Sequence, residues 1–279
     1  MFETRFESAR HRFARLASAP EAEIDVEEGA ILIAAEEYPD LDVADVRAEL
    51  DRLGDAARLA LADAGDGAER VSRLNRLLFE ELGFEGASEY FDPRNSYLNE
   101  VLERRVGIPI TLALVYIGVG RRAEMDVRGI SFPGHFLVRC AGDEEQIVDA
   151  FHGRTLTQRE CAARLASALG PDVALDPTVH LRDATPREIL VRMLSNLQRI
   201  FAERGDAERL LACCDRILLL MPRSVPALRD RALLYQRLGW IAAAIGDLEA
   251  ALEVADEPRV VHSLAERRDA LRQRLGPVH

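Results

Sequence analysis

A chain of 279 residues is long enough for one large domain or for two to three small ones, each with a core of its own. Its 48 Asp and Glu outnumber 36 basic residues, leaving a formal charge of -12, and every one of those basic residues is arginine. Schiff-base, general-base and phosphate-loop lysines are therefore excluded, and the acidic balance argues against a nucleic-acid binder, which would carry a basic stripe.

Residues 1 to 84 read as a helical region. In "ILIAAEEYPDLDVADVRAELDRLGDAARLALADA" an apolar cluster at Ile31, Ile33, Ala34 and Ala35 is followed by a break at "YPDLD". Val43, Val46, Leu50, Leu53, Ala57 and Leu61 then recur at steps of three and four, predicting an amphipathic helical hairpin. "DGAERVSRLNRLLFEELG" adds a further helix with Gly83 as its C-cap. The first twenty residues mix acids with arginines and lack the apolar stretch of a secretion signal.

Residues 85 to 184 change character. "FDPRNSYLNEVLERRVG" predicts a proline turn, Asn95 or Ser96 as N-cap, and a short helix stopped by Gly107. "IPITLALVYIGVGRR" is apolar all round and opens on Pro109, the pattern of a buried central helix, and is too short to span a bilayer. "HFLVRC" and "EQIVDAF", joined by "AGDE", predict a β-hairpin.

Residues 185 to 279 are helical again and contain a repeat. At an offset of 34 residues Leu194 matches Leu228, Phe201 matches Tyr235, Gly205 matches Gly239 and Leu218 matches Leu252, the period of tetratricopeptide repeats. "DEPRVVHSLAERRDALRQRL" would cap the pair.

The hairpin holds the chemistry. With its turn centred on Gly142, His135 and Asp149 lie opposite each other, close enough for the carboxylate to orient the imidazole as in a nucleophilic triad. The same pair also fits a purely structural role. Cys140 follows His135 by an odd number of residues, so a strand turns it to the other face. Cys161, Cys213 and Cys214 fall in predicted helices where buried thiols are ordinary, and no CxxC occurs. His152 and His180 form no metal-ligand spacing, so neither metal nor cofactor is expected. Reduced thiols and the missing signal suggest a cytoplasmic protein.

"DPRNSYLNEVLERRVGIPITLALVYIGVGRR", "VRGISFPGHFLVRC" and "IVDAFHG" closely resemble the transglutaminase-like domain of the SirB-type bacterial family, and the helical lead-in and repeat-like end are similar to its architecture. The resemblance implies an α+β protein, with a papain-like core of a central helix on an antiparallel sheet between the N-terminal helices and the tetratricopeptide-like helices. It also implies a triad in which His135 and Asp149 take their usual places and a cysteine opens the central helix. No cysteine stands near Pro109, Ile110 or Thr111, and the Thr111 hydroxyl, the one alcohol in that turn, is a poor nucleophile without strong activation.

The sequence thus favours a non-catalytic protein-interaction or regulatory module that binds a protein or peptide through its C-terminal helices, with basic segments suiting an acid-rich surface. His135 and Asp149 would then be vestigial. The alternative is a hydrolase or acyl-transferase using that pair with an unconventional nucleophile. Neither a membrane nor a nucleic-acid partner is expected, and nothing in the sequence specifies an oligomeric state.

Overall fold

The computed structural model describes residues 8–275. The remaining residues, including the start of the segment read for a secretion signal, lie outside the described range. The chain divides into two compact units, one up to Met193 and one from Leu194 onward.

In the first unit, α1 (Ala9–Ser18) and a 3-10 turn lead into α2 (Val26–Glu37) and α3 (Val43–Ala60). Aspartates start both longer helices: Asp25 accepts from the Glu28 amide at 3.1 Å and Asp42 from the Ala44 amide at 2.8 Å. α4 (Gly67–Asn75) runs on as a π-helical stretch, Arg76–Glu81, and turns at Gly83 with φ +71°. β1 (Glu85–Gly86) and β2 (Val106–Gly107) form a short parallel pair around α5 (Leu98–Arg104). α6 (Pro109–Arg122) is the expected buried helix, with residues 109–117 all inside the core.

The predicted caps of α5 are corrected. Asn95 and Ser96 sit in a preceding 3-10 turn opened by Asp92, and Tyr97 begins the helix without a side-chain cap. The helix ends at Arg105 (φ 61°) rather than at Gly107. Arg105 tolerates that conformation while its guanidinium pairs with Glu49 at 3.0 Å and lies 4.6 Å over the Phe84 ring.

A four-stranded antiparallel sheet follows in the order β3 (Val127–Ile130), β4 (Leu137–Cys140), β5 (Gln146–Asp149), β6 (Arg154–Leu156). Residues 183–184 line the outer edge of β3, where the Ala184 amide donates to Gly129 O at 2.7 Å and blunts an otherwise open edge. α7 (Gln158–Leu169) covers one face: Cys161 and Leu165 pack with Leu137, Ile147 and Leu156. Cys140 faces the other way, its thiol 3.9 Å from the Tyr116 hydroxyl of α6. After the short α8 (Pro177–His180) comes α9 (Pro186–Arg204). The stretches 1–84 and 85–184 differ in sequence texture, yet both lie in the first unit, where Arg122 of α6 joins Glu27 of α2 at 2.8 Å.

In the second unit the 34-residue period is visible in the backbone. α10 (Ala207–Leu220) starts 34 residues before α12 (Ile241–Leu252); α11 (Val225–Arg237) lies between them and α13 (Pro258–Leu275) follows. Gly205 and Gly239 both adopt positive φ, +69° and +80°, at equivalent helix ends. The next amide closes the same bond each time: Asp206 N–H to Phe201 O at 3.0 Å, Trp240 N–H to Tyr235 O at 2.8 Å. Arg231 of α11 ties three helices together, reaching Asp247 of α12 with two nitrogens (2.8 and 2.7 Å) and Asp215 of α10 with the third (2.8 Å). From Leu194 onward 13 arginines stand against 12 carboxylates, so the acid excess of the chain belongs to the first unit.

Candidate functional site

The segment Phe132-Pro133-Gly134-His135 folds as a turn closed by the His135 amide on Phe132 O at 3.0 Å. Proline supplies the first central residue and Gly134, at φ +69°, the second, as a type II turn requires. His135 therefore stands two residues before β4 begins. The hairpin register also differs from the expected one. Val138 pairs with Val148 and Cys140 with Gln146, so Leu137, not His135, lies opposite Asp149. A five-residue connection, 141–145, moves the centre of the hairpin to residue 143. His135 reaches Asp149 along the diagonal instead, from two positions up the neighbouring chain, a reach open to a long side chain.

The contact is close: His135 Nε2 lies 2.8 Å from Asp149 Oδ1. Asp149 ends β5 fully buried, and its carboxylate gathers five N–H donors. Oδ1 accepts from His135 and from the Phe151 and His152 amides at 3.1 and 3.4 Å. Oδ2 accepts from His152 Nδ1 at 2.8 Å and from Arg164 of α7 at 2.6 Å. Burial would raise the Asp149 pKa, but the His135 bond and charge, the His152 ring and Arg164 outweigh it and hold the carboxyl at about 2. An ionised Asp149 accepts from the Nε2–H of His135 and fixes the orientation of the ring, leaving Nδ1 as the ring nitrogen it does not engage.

His152 and Arg164 are absent from the sequence reading of this site. His152 is brought back by the turn after β5, where its amide bonds Asp149 O at 3.2 Å, and its ring sits 6.0 Å from that of His135. The tripeptide "FHG" at 151–153, one residue beyond the aspartate, was the available signal. Arg164 had none, since only the packing of α7 on the sheet delivers it. The donor atoms of His135, Asp149 and His152 lie within 4.8 Å of one another, a metal-like grouping that the sequence spacing does not reveal. A cation on Asp149 would have to displace the Arg164 guanidinium already seated there.

Thr111 lies elsewhere. It is fully buried in the first turn of α6, donating to Asn95 O at 2.7 Å and accepting from the Ile108 amide at 3.1 Å. Among the described residues no hydrogen bond joins it to His135. Asn95, turned away from any cap, donates to Glu89 O at 2.8 Å and accepts from Arg104 at 3.1 Å, so it braces the mouth of α6. Thr111→Val should leave buried polar atoms of this mouth without partners and lower stability by about 2 kcal/mol, whereas Thr111→Ser should stay within about 1 kcal/mol of the parent. Urea midpoints of the two variants check this; equal midpoints would show the hydroxyl to be dispensable for the fold.

All four cysteines are free and buried. Burial pushes the Cys140 thiol up to about 12 against a downward pull from Tyr116, and burial also raises Cys161 and carries Cys214 to about 12.

Comparison with known proteins agrees with this architecture. Residues 44–195 match the transglutaminase-like superfamily, and residues 197–269 match the tetratricopeptide repeat. A UPF0162 protein of Xylella fastidiosa is 40% identical over 244 residues, 86% of this chain and 87% of its own. The chain belongs to the UPF0162 family. That is the SirB-type transglutaminase-like family expected from the motifs. A UPF0162 protein of Pseudomonas aeruginosa is 33% identical over 86% of this chain and 88% of its own. F-box only protein 21 of Homo sapiens shares 30% identity over 183 residues, 61% of this chain and 28% of its own length. Among the described residues no helix is long and apolar enough to cross a membrane.

Proposed function

We propose that this UPF0162 protein is a non-catalytic, regulatory interaction module, its transglutaminase-like unit kept as a scaffold and its tetratricopeptide-like helices binding a protein or peptide in the cytoplasm. One observation carries the reading: His135 has its orienting carboxylate, and among the described residues no hydrogen bond joins its ring to a thiol or a hydroxyl. The Thr111 hydroxyl is engaged by the backbone at the mouth of α6, and Cys140 faces α6 with its pKa near 12. On the repeats, Trp240 is half exposed at the α11–α12 turn, its ring tilted against that of Tyr235 with centroids 5.6 Å apart, the kind of rigid aromatic anchor that dominates interfaces. Near-neutral charge from Leu194 onward moves the expected preference for basic segments away from this surface.

Hydrogen-exchange mass spectrometry of the full chain with a captured partner tests the proposal. Protection should concentrate in α11 and α12, and Trp240→Ala should weaken the complex by about tenfold or more. Protection confined to the His135 face, or a thiol-directed activity probe that labels the parent but not His135→Ala, would overturn it. The second reading, a hydrolase or acyl-transferase, rests on His135 Nδ1, the ring nitrogen that Asp149 does not engage. Ester turnover abolished by His135→Ala would favour it.

A further inference from the structure

A cavity of about 430 Å³ lies inside the first unit, between the start of α2, the second half of α6, β3 and the segment 183–189. Its volume falls within the usual range of small-molecule sites. Ile24, Leu50, Leu98, Leu114, Ile117 and Ile189 contribute apolar wall. Asp25, Glu27, Asp126, Asp183, Arg121 and Arg128 also line it.

Pairing within the protein accounts for nearly all of that charge. Asp25 accepts from Arg47 at 2.7 Å and from the Glu28 amide. Both Glu27 oxygens are held by Arg122, at 2.8 and 3.0 Å. Arg128 is chelated by Asp126 and reaches Asp183 at 3.1 Å, and the other Asp183 oxygen takes Arg139 at 2.8 Å. Arg121 differs. Its Nε–H donates to Val127 O at 3.1 Å, and among the described residues nothing accepts from its two terminal nitrogens. The cavity thus offers a partly apolar wall and one exposed guanidinium whose terminal nitrogens have no acceptor among the described residues, although the Asp126 carboxylate lies near enough to feel its charge.

We propose that this cavity binds a small free monocarboxylate with an aliphatic or aromatic tail, its carboxylate on the terminal nitrogens of Arg121 and its tail against the apolar wall. The planar guanidinium matches a carboxylate in two parallel bonds. None of its lining residues belongs to the His135 cluster or to the repeat helices, so the site stands or falls independently of the function proposed above.

Isothermal titration calorimetry of the full chain with decanoate, decanol and decyltrimethylammonium tests the assignment. Decanoate should bind with a micromolar dissociation constant, at least tenfold more tightly than either other probe, and each methylene removed from it should weaken binding by about fourfold. Arg121→Gln, at an exposed helix end, should weaken decanoate by about tenfold with an unchanged circular dichroism spectrum. Gly118→Leu should abolish binding: a Cβ there meets only ordinary contacts, 3.5 Å to Arg122 and to Leu50, and the added side chain would fill cavity space. No decanoate binding below millimolar concentration, equal binding of the cationic probe, or an undiminished Arg121→Gln would each refute the site. Should Gly118→Leu misfold, the Arg121 variant and the three-probe comparison still decide.

Discussion

Asp149→Asn is expected to destabilise the first unit by about 3 kcal/mol at pH 7, because an amide can accept on one side only and would turn an N–H toward donors on the other. Five donors converge on Asp149, so no flip of the amide satisfies both the His135 side and the Arg164 side. The pH dependence follows from the depressed carboxyl. Its pKa falls from 3.8 in the unfolded chain to about 2 in the folded one, so the folded state binds the proton more weakly. The stability linked to that shift, about 2 kcal/mol, is fully present above pH 4 and is lost as pH falls from about 4 to about 2. Urea unfolding of parent and variant at pH 7 and again near pH 2 should show most of the difference at neutral pH and only the residual hydrogen-bonding part in acid. A variant within about 0.5 kcal/mol of the parent at pH 7 would mean that Asp149 is not the hub of this cluster.

Gly86→Ala should cost a similar amount, about 3 kcal/mol, by a steric route. A Cβ on Gly86 would stand 2.6 Å from the Phe151 carbonyl oxygen and 2.8 Å from two atoms of its ring. A flexible side-chain tip could give way, but a backbone carbonyl in the turn that carries His152 cannot move without pulling on Asp149. The Phe151 ring also stands edge-on to His135, with centroids 6.1 Å apart, so the disturbance should reach both histidines. Imidazole nitrogen NMR should record altered His135 and His152 resonances together with the lower urea midpoint. Gly246→Ala is the control: nothing lies within 4 Å of a Cβ there, and alanine in the exposed face of α12 should be neutral or stabilise by up to about 1 kcal/mol. An undisturbed histidine spectrum in Gly86→Ala would disconnect β1 from the site.

The long helices were legible because their information is local. Leu50, Leu53 and Ala57 repeat at helical spacing, Asp42 starts their helix, and Gly205 and Gly239 mark equivalent ends 34 residues apart. The hairpin was legible as a pair of strands but not in its register. Alternation of apolar residues says which face a side chain takes, and the five-residue connection 141–145 decides which residue lies across from it. His135 and Asp149 therefore meet on the diagonal, where the sequence reading placed them side by side.

Composition, periodicity and motif were enough to establish a lysine-free, acid-rich chain with a buried central helix, a β-hairpin with His135 and Asp149 near its open end, and a repeated helical pair. Each of these rests on neighbours along the chain, where side-chain spacing and backbone preference act directly. Three other features came only with the folded chain: Arg164 on Asp149, the engagement of Thr111 at the mouth of α6, and the exposed guanidinium of Arg121 beside a partly apolar cavity. Each joins segments that no periodicity relates. Which donor reaches a buried carboxylate, and which charge is left over once the others have paired, depends on how helices and sheet pack, and that is settled by close packing and hydrogen-bond satisfaction across the whole unit.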